Sequence, residues 1–193
     1  MPKAAPSAGP GLYQLKVTLN DINPAIWRRL QVPGDTTLNG LHKAIQTVMG
    51  WSDSHLHRFV AGGVEYGLPE SEDGRIWDDG TRDETAAKLC EVAPSEKDKF
   101  EYEYDFSDGW MHEIAVEKIL AGKKSDRGVR CLAGERACPP EDCGGPWGYE
   151  QTVEALRDSK HPDHEEMVGL IGADFDPEAF DVDAVNTALA KLA

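Results

Sequence analysis

The stretch FEYEYDFSDGWMHEIAVEKI (residues 100–119) carries the strongest secondary-structure signal in the chain. Aromatic residues alternate with acidic ones up to Phe106, and apolar residues alternate again from Trp110 onward. This is the period of strands that bury one face. Residues 107–109 (SDG) between them are typical of a short turn. The stretch therefore predicts a β-hairpin near the centre of a sheet.

Four further strands are predicted upstream of this hairpin. Residues 13–19 alternate apolar and polar side chains, and residues 26–32 place alternate side chains on one face. Two glycines at 62–63 separate the short runs 55–61 and 64–66, which is a good signal for a tight hairpin.

A helix is predicted between these strand pairs. Thr36 or Thr37 can cap it, an apolar stripe at helical spacing runs over residues 38–49, and Gly50 ends it. The order strand, strand, helix, strand, strand resembles a β-grasp (ubiquitin-like) arrangement, in which a sheet wraps one helix. We therefore predict an α+β fold with a mixed sheet, a β-grasp-like start and a helical C-terminal part over residues 149–192.

The predicted organisation is a single α+β domain over residues 12–193 behind a flexible tail. Residues 1–11 (MPKAAPSAGPG) contain no apolar run long enough for a signal peptide. The acidic stretch 69–84 is predicted to be an exposed loop. Residues 123–147 form a Gly/Pro/Cys-rich loop, and a loop of this length is usually functional or held by something other than packing.

Charge and composition restrict the classes of partner. The 193 residues carry a net charge of −15, which argues against general binding to the phosphates of nucleic acids. The charge is uneven, however, with +3 over residues 1–60 and −18 over the remainder. A nucleic-acid binder that uses this basic end stays an alternative, through Trp27, Arg28, Arg29, Lys43 and Arg58. The sequence contains no run of 18 apolar residues that would predict a membrane span, so the cytoplasm is the expected location.

Cys131, Cys138 and Cys143 form the first candidate site. Three thiols in a loop of poor packing propensity suit zinc, which prefers four sulfur or nitrogen ligands in a tetrahedral array. His112 is predicted as the fourth ligand because it lies on an ordered strand, and four protein ligands would make the zinc structural. The alternative fourth ligands are His164 and His161. The competing interpretation treats the cysteines as small, semi-buried packing residues.

His55 and His57 form the second candidate site. Side chains two apart on a strand face the same way, so these imidazoles could share a metal ion or an anion. A polar sheet face or strand entry is the favoured interpretation, because no carboxylate at fixed spacing completes the site. Arg28 is a third candidate, as a ligand or partner contact. The competing interpretations are a bulge that turns it into solvent, or a stem that lies over apolar neighbours with its head in water.

Carboxylates around the turn of the central hairpin form a fourth candidate site. Paired carboxylates can perform acid–base chemistry or hold Mg²⁺. Asp-Gly is equally what a hairpin turn requires, and the turn interpretation is favoured. The residues are Asp105, Asp108 and Glu113.

The motifs of common enzyme classes are missing from the sequence. It contains no G-x-x-x-x-G-K-[ST], G-x-G-x-x-G, G-x-S-x-G or H-E-x-x-H. The leading hypothesis is therefore a non-enzymatic binding or adaptor module with a structural zinc and an unidentified protein partner. The rival hypothesis is a metal-dependent hydrolase or nuclease built from His55, His57, His112 and nearby carboxylates.

Four stretches, in order along the chain, resemble the plasmid Ri open-reading-frame-three-like family. They are PAIWRRLQVPGDTTLNGLHKAIQTVMGWSDSHLHRF (24–59), YEYDFSDGWMHEI (102–114), CLAGERACPPEDCGGPWGY (131–149) and FDPEAFD (175–181). The resemblance runs from about Leu12 to Asn186 and departs at Ser107, where the family commonly has Gly. The family is bacterial and archaeal and includes passenger proteins of insertion elements. The resemblance thus implies a fold and a link to mobile genetic elements rather than one particular activity.

Overall fold

The computed structural model describes residues 11–68, 80–123 and 127–192. The strands are β1 (Leu12–Leu19), β2 (Ile26–Pro33), β3 (His57–Ala61), β4 (Val64–Gly67), β5 (Arg82–Asp83), β6 (Lys99–Tyr104), β7 (Trp110–Leu120) and β8 (Arg130–Glu135). The helices are α1 (Leu38–Met49), α2 (Leu89–Val92), α3 (Gly145–Arg157), α4 (His164–Ile171) and α5 (Val182–Leu189). The eight strands form one mixed sheet in the order β5-β4-β3-β6-β7-β1-β2-β8.

The predicted central hairpin is confirmed as β6 and β7, in the middle of the sheet. Their alternation buries one face, where Tyr102, Tyr104 and Trp110 are fully buried. The opposite face carries charged side chains, as the period of two requires. Because β7 also pairs with β1, the hairpin joins the two halves of the sheet.

Helix α1 lies against the buried face of the sheet. Its N-cap is Thr37, whose hydroxyl accepts a hydrogen bond from Gly40 N–H, and it ends at Gly50 in the left-handed conformation. Its apolar stripe is buried from Leu38 to Met49, as predicted. None of the helices in the described part of the chain is long and apolar enough to cross a membrane.

The α+β class is confirmed, but the β-grasp-like start is not. In this sheet β1 pairs antiparallel with β2 on one side and antiparallel with β7 on the other. The single parallel pair among the described strands is β4 with the two-residue strand β5. The second predicted hairpin joins the sheet through β6 rather than through β1.

Two predicted loops contain ordered structure. The Gly/Pro/Cys-rich loop includes the edge strand β8 and the first turn of α3. Of the predicted acidic loop, residues 69–79 lie outside the described residues, yet Glu84 at its end is fully buried. The predicted N-terminal tail also lies outside the described residues, apart from Gly11, whose carbonyl accepts a hydrogen bond from Gly34 N–H at 2.7 Å.

The last helix covers the edge strand β8. Asn186 of α5 accepts a hydrogen bond from Cys131 N–H and donates one to Cys131 O, each at 2.9 Å. The side-chain amide thereby satisfies backbone groups that a free strand edge would leave exposed. The C-terminal part of the chain is therefore packed onto the sheet and onto α1.

Candidate metal centre

A buried histidine cluster lies between α1 and the sheet. The rings of His42 and His57 stack with centroids 3.4 Å apart and planes 3° from parallel. His57 Nε2 donates to the Glu84 carboxylate at 2.9 Å, and His42 Nε2 donates to Asp53 Oδ1 at 2.8 Å. The Tyr102 hydroxyl donates to His42 Nδ1 at 2.8 Å. Each imidazole is therefore paired within the protein.

The electrostatics of this cluster favour a structural role. Burial and the neighbouring His57 lower the pKa of His42 to about 4, so His42 is neutral at neutral pH. Burial alone would raise the pKa of Glu84, but hydrogen bonds from His57 and Asn39 outweigh it and leave that pKa below its ordinary value. The buried carboxylate is thus ionised and compensated.

Stacking also limits what the two histidines can bind. Donor atoms of His42, Asp53 and His57 lie within 4.8 Å of one another, a spacing that suits a metal ion. However, imidazole lone pairs lie in the ring plane, so two parallel rings cannot both direct them at one ion. We interpret this cluster as a polar network that joins α1 to β3.

A second group, here called the His55 cluster, consists of His55, Asp105 and Asp142. His55 Nδ1 lies 3.7 Å from Asp105 Oδ2, and His55 Nε2 lies 3.3 Å from Asp142 Oδ1. Donor atoms of all three residues lie within 4.8 Å of one another. The side chains of Asp105, His55 and Asp142 are 4%, 25% and 77% exposed, so the cluster opens to solvent.

The turn of the central hairpin positions Asp105. Its φ of 54° lies in the left-handed region, which Asp tolerates better than most residues. Asp105 Oδ1 accepts hydrogen bonds from the Ser107 N–H at 3.0 Å and from the Ser107 hydroxyl at 2.7 Å. Burial would raise the pKa of Asp105, but these hydrogen bonds outweigh it and hold the pKa below its ordinary value. The carboxylate is thus ionised, with Oδ2 toward His55.

Hydrogen bonds from two aromatic residues hold the segment that carries Asp142 against the sheet. Trp51 Nε1 donates to Pro139 O at 2.9 Å, and the Tyr104 hydroxyl donates to Glu141 Oε1 at 2.5 Å. Burial would raise the pKa of Glu141, but hydrogen bonds from Ser52 and Tyr104 lower it below its ordinary value. The connection between β8 and α3 therefore brings a second ionised carboxylate beside the cluster.

The three cysteines of the predicted zinc site are free thiols that are partly or fully buried. Cys131 is buried on β8, and Cys138 packs with its sulfur 3.4 Å from Met49 Sδ. Burial raises the pKa of the Cys138 thiol well above its ordinary range and that of Cys143 to about 12. Among the described residues, the two groups whose donor atoms suit a metal ion contain no cysteine. The geometry thus gives the zinc prediction no support.

The histidines predicted as the fourth zinc ligand are dispersed. His112 is fully buried, and its Nδ1 donates to Trp110 O at 2.9 Å, while burial lowers its pKa to about 4. His164 Nδ1 donates to Ala155 O at 2.9 Å, which connects α4 to α3. His161 lies beside Asp163 on the surface between these helices.

His55 and His57 do not share a site in the structure, because each belongs to a different one of the two groups of donor atoms found among the described residues. Strand β3 begins only at His57, and His55 precedes it in an irregular segment, so the alternation of a strand does not apply to the pair. His57 turns inward to Glu84, whereas His55 turns to the hairpin turn. The sequence therefore placed His55 and Asp105 in separate candidate sites, although they are neighbours.

Arg28 lies on the buried face of β2 and is 2% exposed. Its guanidinium donates to three carbonyl groups from other segments, Val48 O at 3.0 Å, Glu135 O at 2.8 Å and Arg136 O at 2.8 Å. It also lies over the Phe180 ring, 4.3 Å from the centroid. Through these contacts Arg28 joins β2, α1 and the end of β8. The geometry therefore supports a structural role for Arg28 rather than contact with a ligand.

Two other cations of the predicted nucleic-acid surface are neutralised by carboxylates. Arg29 makes a bidentate pair with Glu117 at 2.7 and 2.8 Å. Arg58 pairs with Glu103 at 2.6 Å and with Glu65 at 3.1 Å. Arg28, Arg29 and Arg58 are thus engaged by acceptor groups of the protein itself, which disfavours the nucleic-acid alternative.

Sequence reasoning missed three residues of the two clusters. Asp142 lies in a stretch whose cysteines give the stronger signal, and the acidic pair in CPPEDCGG is its only mark in the sequence. Glu84 lay in a polar stretch with no sign of burial. His42 was concealed by its place on the apolar stripe of α1, where a buried histidine is an exception that marks a polar network.

The fold and the geometry together define the class of this protein. It is an α+β protein with a single mixed sheet and a histidine–carboxylate cluster at the turn of its central hairpin. Residues 11–184 match the family described as plasmid pRiA4b ORF-3-like protein, and the chain belongs to this family. The resemblance inferred from the sequence is confirmed.

Two relatives support this membership. The chain is 39% identical over 184 residues to the protein y4hQ of Sinorhizobium fredii, described as uncharacterized, with 94% of this chain and 92% of y4hQ covered. It is 41% identical to the crystal structure of MM3350, a protein of unknown function from Methanosarcina mazei Go1. That likeness has a TM-score of 0.80 and covers 90% of this chain and 96% of the other.

Proposed function

We propose that this protein is a non-enzymatic binding module whose His55 cluster takes up a divalent cation. The observation that carries the proposal is the convergence of one imidazole and two carboxylates, from three separate segments, within 4.8 Å. Nitrogen together with carboxylate oxygen suits a borderline ion such as Mn²⁺ or Zn²⁺ better than Ca²⁺, which prefers oxygen ligands throughout.

The donor atoms, within 4.8 Å of one another, are spaced more widely than around a bound ion, so binding needs a small adjustment. Two atoms that each lie about 2.1 Å from one ion, at roughly tetrahedral or octahedral angles, are about 3.0–3.4 Å apart. The distances from His55 to Asp105 and to Asp142 are 3.7 and 3.3 Å. Each carboxylate faces a different ring nitrogen, so binding needs one of them to turn, and the exposed Asp142 is free to do so.

The surroundings of Asp105 suit a metal ligand. Ligating carboxylates are usually held by hydrogen bonds to their second oxygen, which fixes the direction of the first. Here the backbone and hydroxyl of Ser107 hold Oδ1 and leave Oδ2 toward His55. The low pKa of Asp105 also means that this carboxyl group has no proton to lose when the ion binds.

Three protein ligands leave coordination positions for water or for a donor atom of a protein partner. That open shell is also the one observation that favours a metal-dependent hydrolase as a second candidate, because catalytic sites keep such a position. The hydrolase predicted from the sequence needed His57 and His112 as well, and both turn away into the protein. Binding without catalysis is therefore the better-supported function.

The proposal is tested by titrating the metal-free protein with Mn²⁺ and Zn²⁺ in a calorimeter. We expect Asp105→Asn and His55→Gln to weaken binding at least tenfold, because each removes one of three ligands. Glu113→Gln is the matched control, since this exposed carboxylate lies on the same hairpin but pairs with Lys99. Equal loss in the control, or unchanged binding in both site variants, would refute the site.

A second measurement separates the two candidate functions. The metal-loaded protein is incubated with an activated phosphodiester and an activated ester. No turnover above the Asp105→Asn background is the outcome that a binding module predicts. Turnover that disappears in this variant would instead establish the hydrolase.

A further inference from the structure

A groove of about 450 Å³ lies between helices α3 and α4. Trp147, Gln151 and Ala155 line it from α3, and Met167 lines it from α4. Thr152 Oγ1 of α3 lies 3.6 Å from Met167 Sδ, so the two helices are in contact beside the groove. The volume is within the usual range of binding sites, roughly 300–1,000 Å³, and it accommodates one long side chain of a partner.

Exposed apolar side chains lie along this groove. Trp147, in the first turn of α3, is 70% exposed. Leu170 of α4 is 72% exposed, and because it follows Met167 by three residues, the two side chains are neighbours on the helix surface. Trp is among the residues that contribute most to binding at protein interfaces, and adjoining exposed apolar side chains mark interaction surfaces. The groove is therefore suited to a protein partner.

The charge around the groove selects the kind of partner. Residues 149–193 contain eleven Asp and Glu against three Lys and Arg, a balance of −8. Among the described residues that line the groove, Glu154 and Asp163 carry exposed carboxylates and none is a Lys or Arg. This charge repels nucleic acid and anionic lipid, and it attracts a positively charged surface. Charge complementarity therefore favours a basic segment of a protein.

We infer that this groove binds a basic segment of a protein partner through an arginine side chain. The hydrocarbon stem of the arginine packs against Trp147, and its guanidinium reaches the carboxylates of Glu154 and Asp163. Arginine suits the groove better than lysine, because its planar guanidinium both stacks on aromatic rings and pairs with carboxylates through two hydrogen bonds. An apolar residue beside the arginine packs on Leu170. No residue of the His55 cluster lines the groove in the described part of the chain, so either proposal can fail without the other.

Nuclear magnetic resonance of the ¹⁵N-labelled, metal-free protein tests the inference with the peptide acetyl-Leu-Arg-Leu-amide. The indole N–H signal of Trp147, assigned by its loss in Trp147→Phe, and the backbone N–H signal of Gln151 report binding. The matched probe is acetyl-Leu-citrulline-Leu-amide, because citrulline has the shape of arginine without its charge. We expect the arginine peptide to shift both signals saturably and to bind at least fivefold more tightly than the citrulline peptide. No shift, or equal affinity for the two peptides, would overturn the inference.

Two variants localise the binding, with the Gln151 signal as the readout. Trp147→Ala and Glu154→Gln are each expected to weaken the arginine peptide at least fivefold. The matched controls Leu132→Ala and Glu101→Gln, at exposed positions outside the groove, should bind it as the wild type does. Because Trp147 is largely exposed, Trp147→Ala should keep the thermal midpoint, so a loss of binding is not a loss of folding. Wild-type affinity in both groove variants would overturn the inference.

Sedimentation velocity distinguishes the other occupant, a second copy of this chain. We expect the wild type and Trp147→Ala to sediment alike, because the acidic groove does not attract another acidic protein. A dimer of the wild type that dissociates in Trp147→Ala would overturn the inference and assign the groove to self-association.

Discussion

At the residue scale, Ser107 helps to orient Asp105. Gly would make the turn without a side chain, whereas the Ser107 hydroxyl donates to Asp105 Oδ1 at 2.7 Å. A single hydroxyl therefore helps to aim the carboxylate of the proposed cation site. Its contribution should appear in binding rather than in folding, because Ser107 lies near the surface.

We expect Ser107→Gly to weaken Mn²⁺ binding by about three- to tenfold, since outer hydrogen bonds of metal ligands typically contribute tenfold or more. The thermal midpoint should change little, because Gly also adopts the turn. Calorimetry and a thermal melt measure the two quantities, with Ser95→Gly as a control on another turn. Unchanged affinity would mean that the Ser107 backbone N–H alone orients Asp105.

At the element scale, the hairpin of β6 and β7 carries both packing and chemistry. Trp110 is fully buried beside Trp51, with ring centroids 5.9 Å apart, as expected for a core residue. Tyr104 is also fully buried, yet its hydroxyl reaches Glu141. The strand pattern thus predicted burial correctly for both residues, but it could not reveal that Tyr104 also orients the segment before α3.

Replacing Trp110 by Ala should lower the free energy of unfolding by about 3–5 kcal/mol, because it removes a large, fully buried side chain from a packed sheet face. Urea unfolding measures the loss. Met111→Ala, on the opposite and more exposed face, should cost less than about 1 kcal/mol. A Trp110→Ala protein of wild-type stability would contradict the packing that β7 shows.

Two alternatives explain what stabilises the connection between β8 and α3: a bound metal ion, or the packing of its side chains. The structural zinc at Cys131, Cys138 and Cys143 stays a prediction. The geometry favours packing. Cys138 lies against Met49, and the Trp51 indole donates a hydrogen bond to the carbonyl of Pro139. Free, protonated thiols are then simply buried side chains.

Limited proteolysis distinguishes these accounts. We expect a chelator to leave cleavage within residues 127–147 unchanged, whereas Cys138→Ser should accelerate it because a polar hydroxyl replaces a packed thiol. Elemental analysis of protein purified without added metal accompanies the experiment. Stoichiometric zinc, together with faster cleavage after chelation, would establish the cysteine site instead.

At the scale of the whole molecule, charge pairs connect distant strands across the outer face of the sheet. Glu117 on β7 accepts hydrogen bonds from Arg29 on β2 and from Gln14 on β1, the strand between them. The hydrogen bonds from Arg29, and to a smaller extent the one from Gln14, lower the pKa of Glu117 to about 2. The acid stability of the protein should depend on this pair.

The sign of this dependence follows from the pKa values in the two states. The unfolded pKa of Glu is about 4.3, above the folded value of about 2. The unfolded chain therefore binds a proton first, and the stabilisation is present above pH of about 4.5 and lost as the pH falls toward 2. Because both side chains are partly exposed and screened by salt, the effect is on the order of 1 kcal/mol.

Urea unfolding between pH 7 and pH 2.5 checks this prediction. Glu117→Gln should be less stable than the wild type at pH 7 and should lose less stability on acidification, so the two curves converge. Glu101→Gln, an exposed change on the neighbouring strand, should follow the wild type throughout. Parallel curves for Glu117→Gln and the wild type would show that the pair contributes nothing to acid stability.

Much of the fold followed from the sequence because its signals are local. The alternation over residues 100–119, the capped stripe of α1 and the glycines at 62–63 each specify an element within a few neighbours. The family was also evident, since its motifs are contiguous. Strand β8 was missed because an edge strand that is covered by a helix needs no clear alternation.

The sequence by itself determined the α+β class, the central hairpin, helix α1, the family and the residue types available for chemistry. Only the tertiary structure decided which of those residues meet. The strand order brings the start of β3 beside the end of β6, and the segment before α3 then lays Asp142 against His55. Such contacts depend on the path of the whole backbone, whereas periodicity reports only which side of its own element a residue faces.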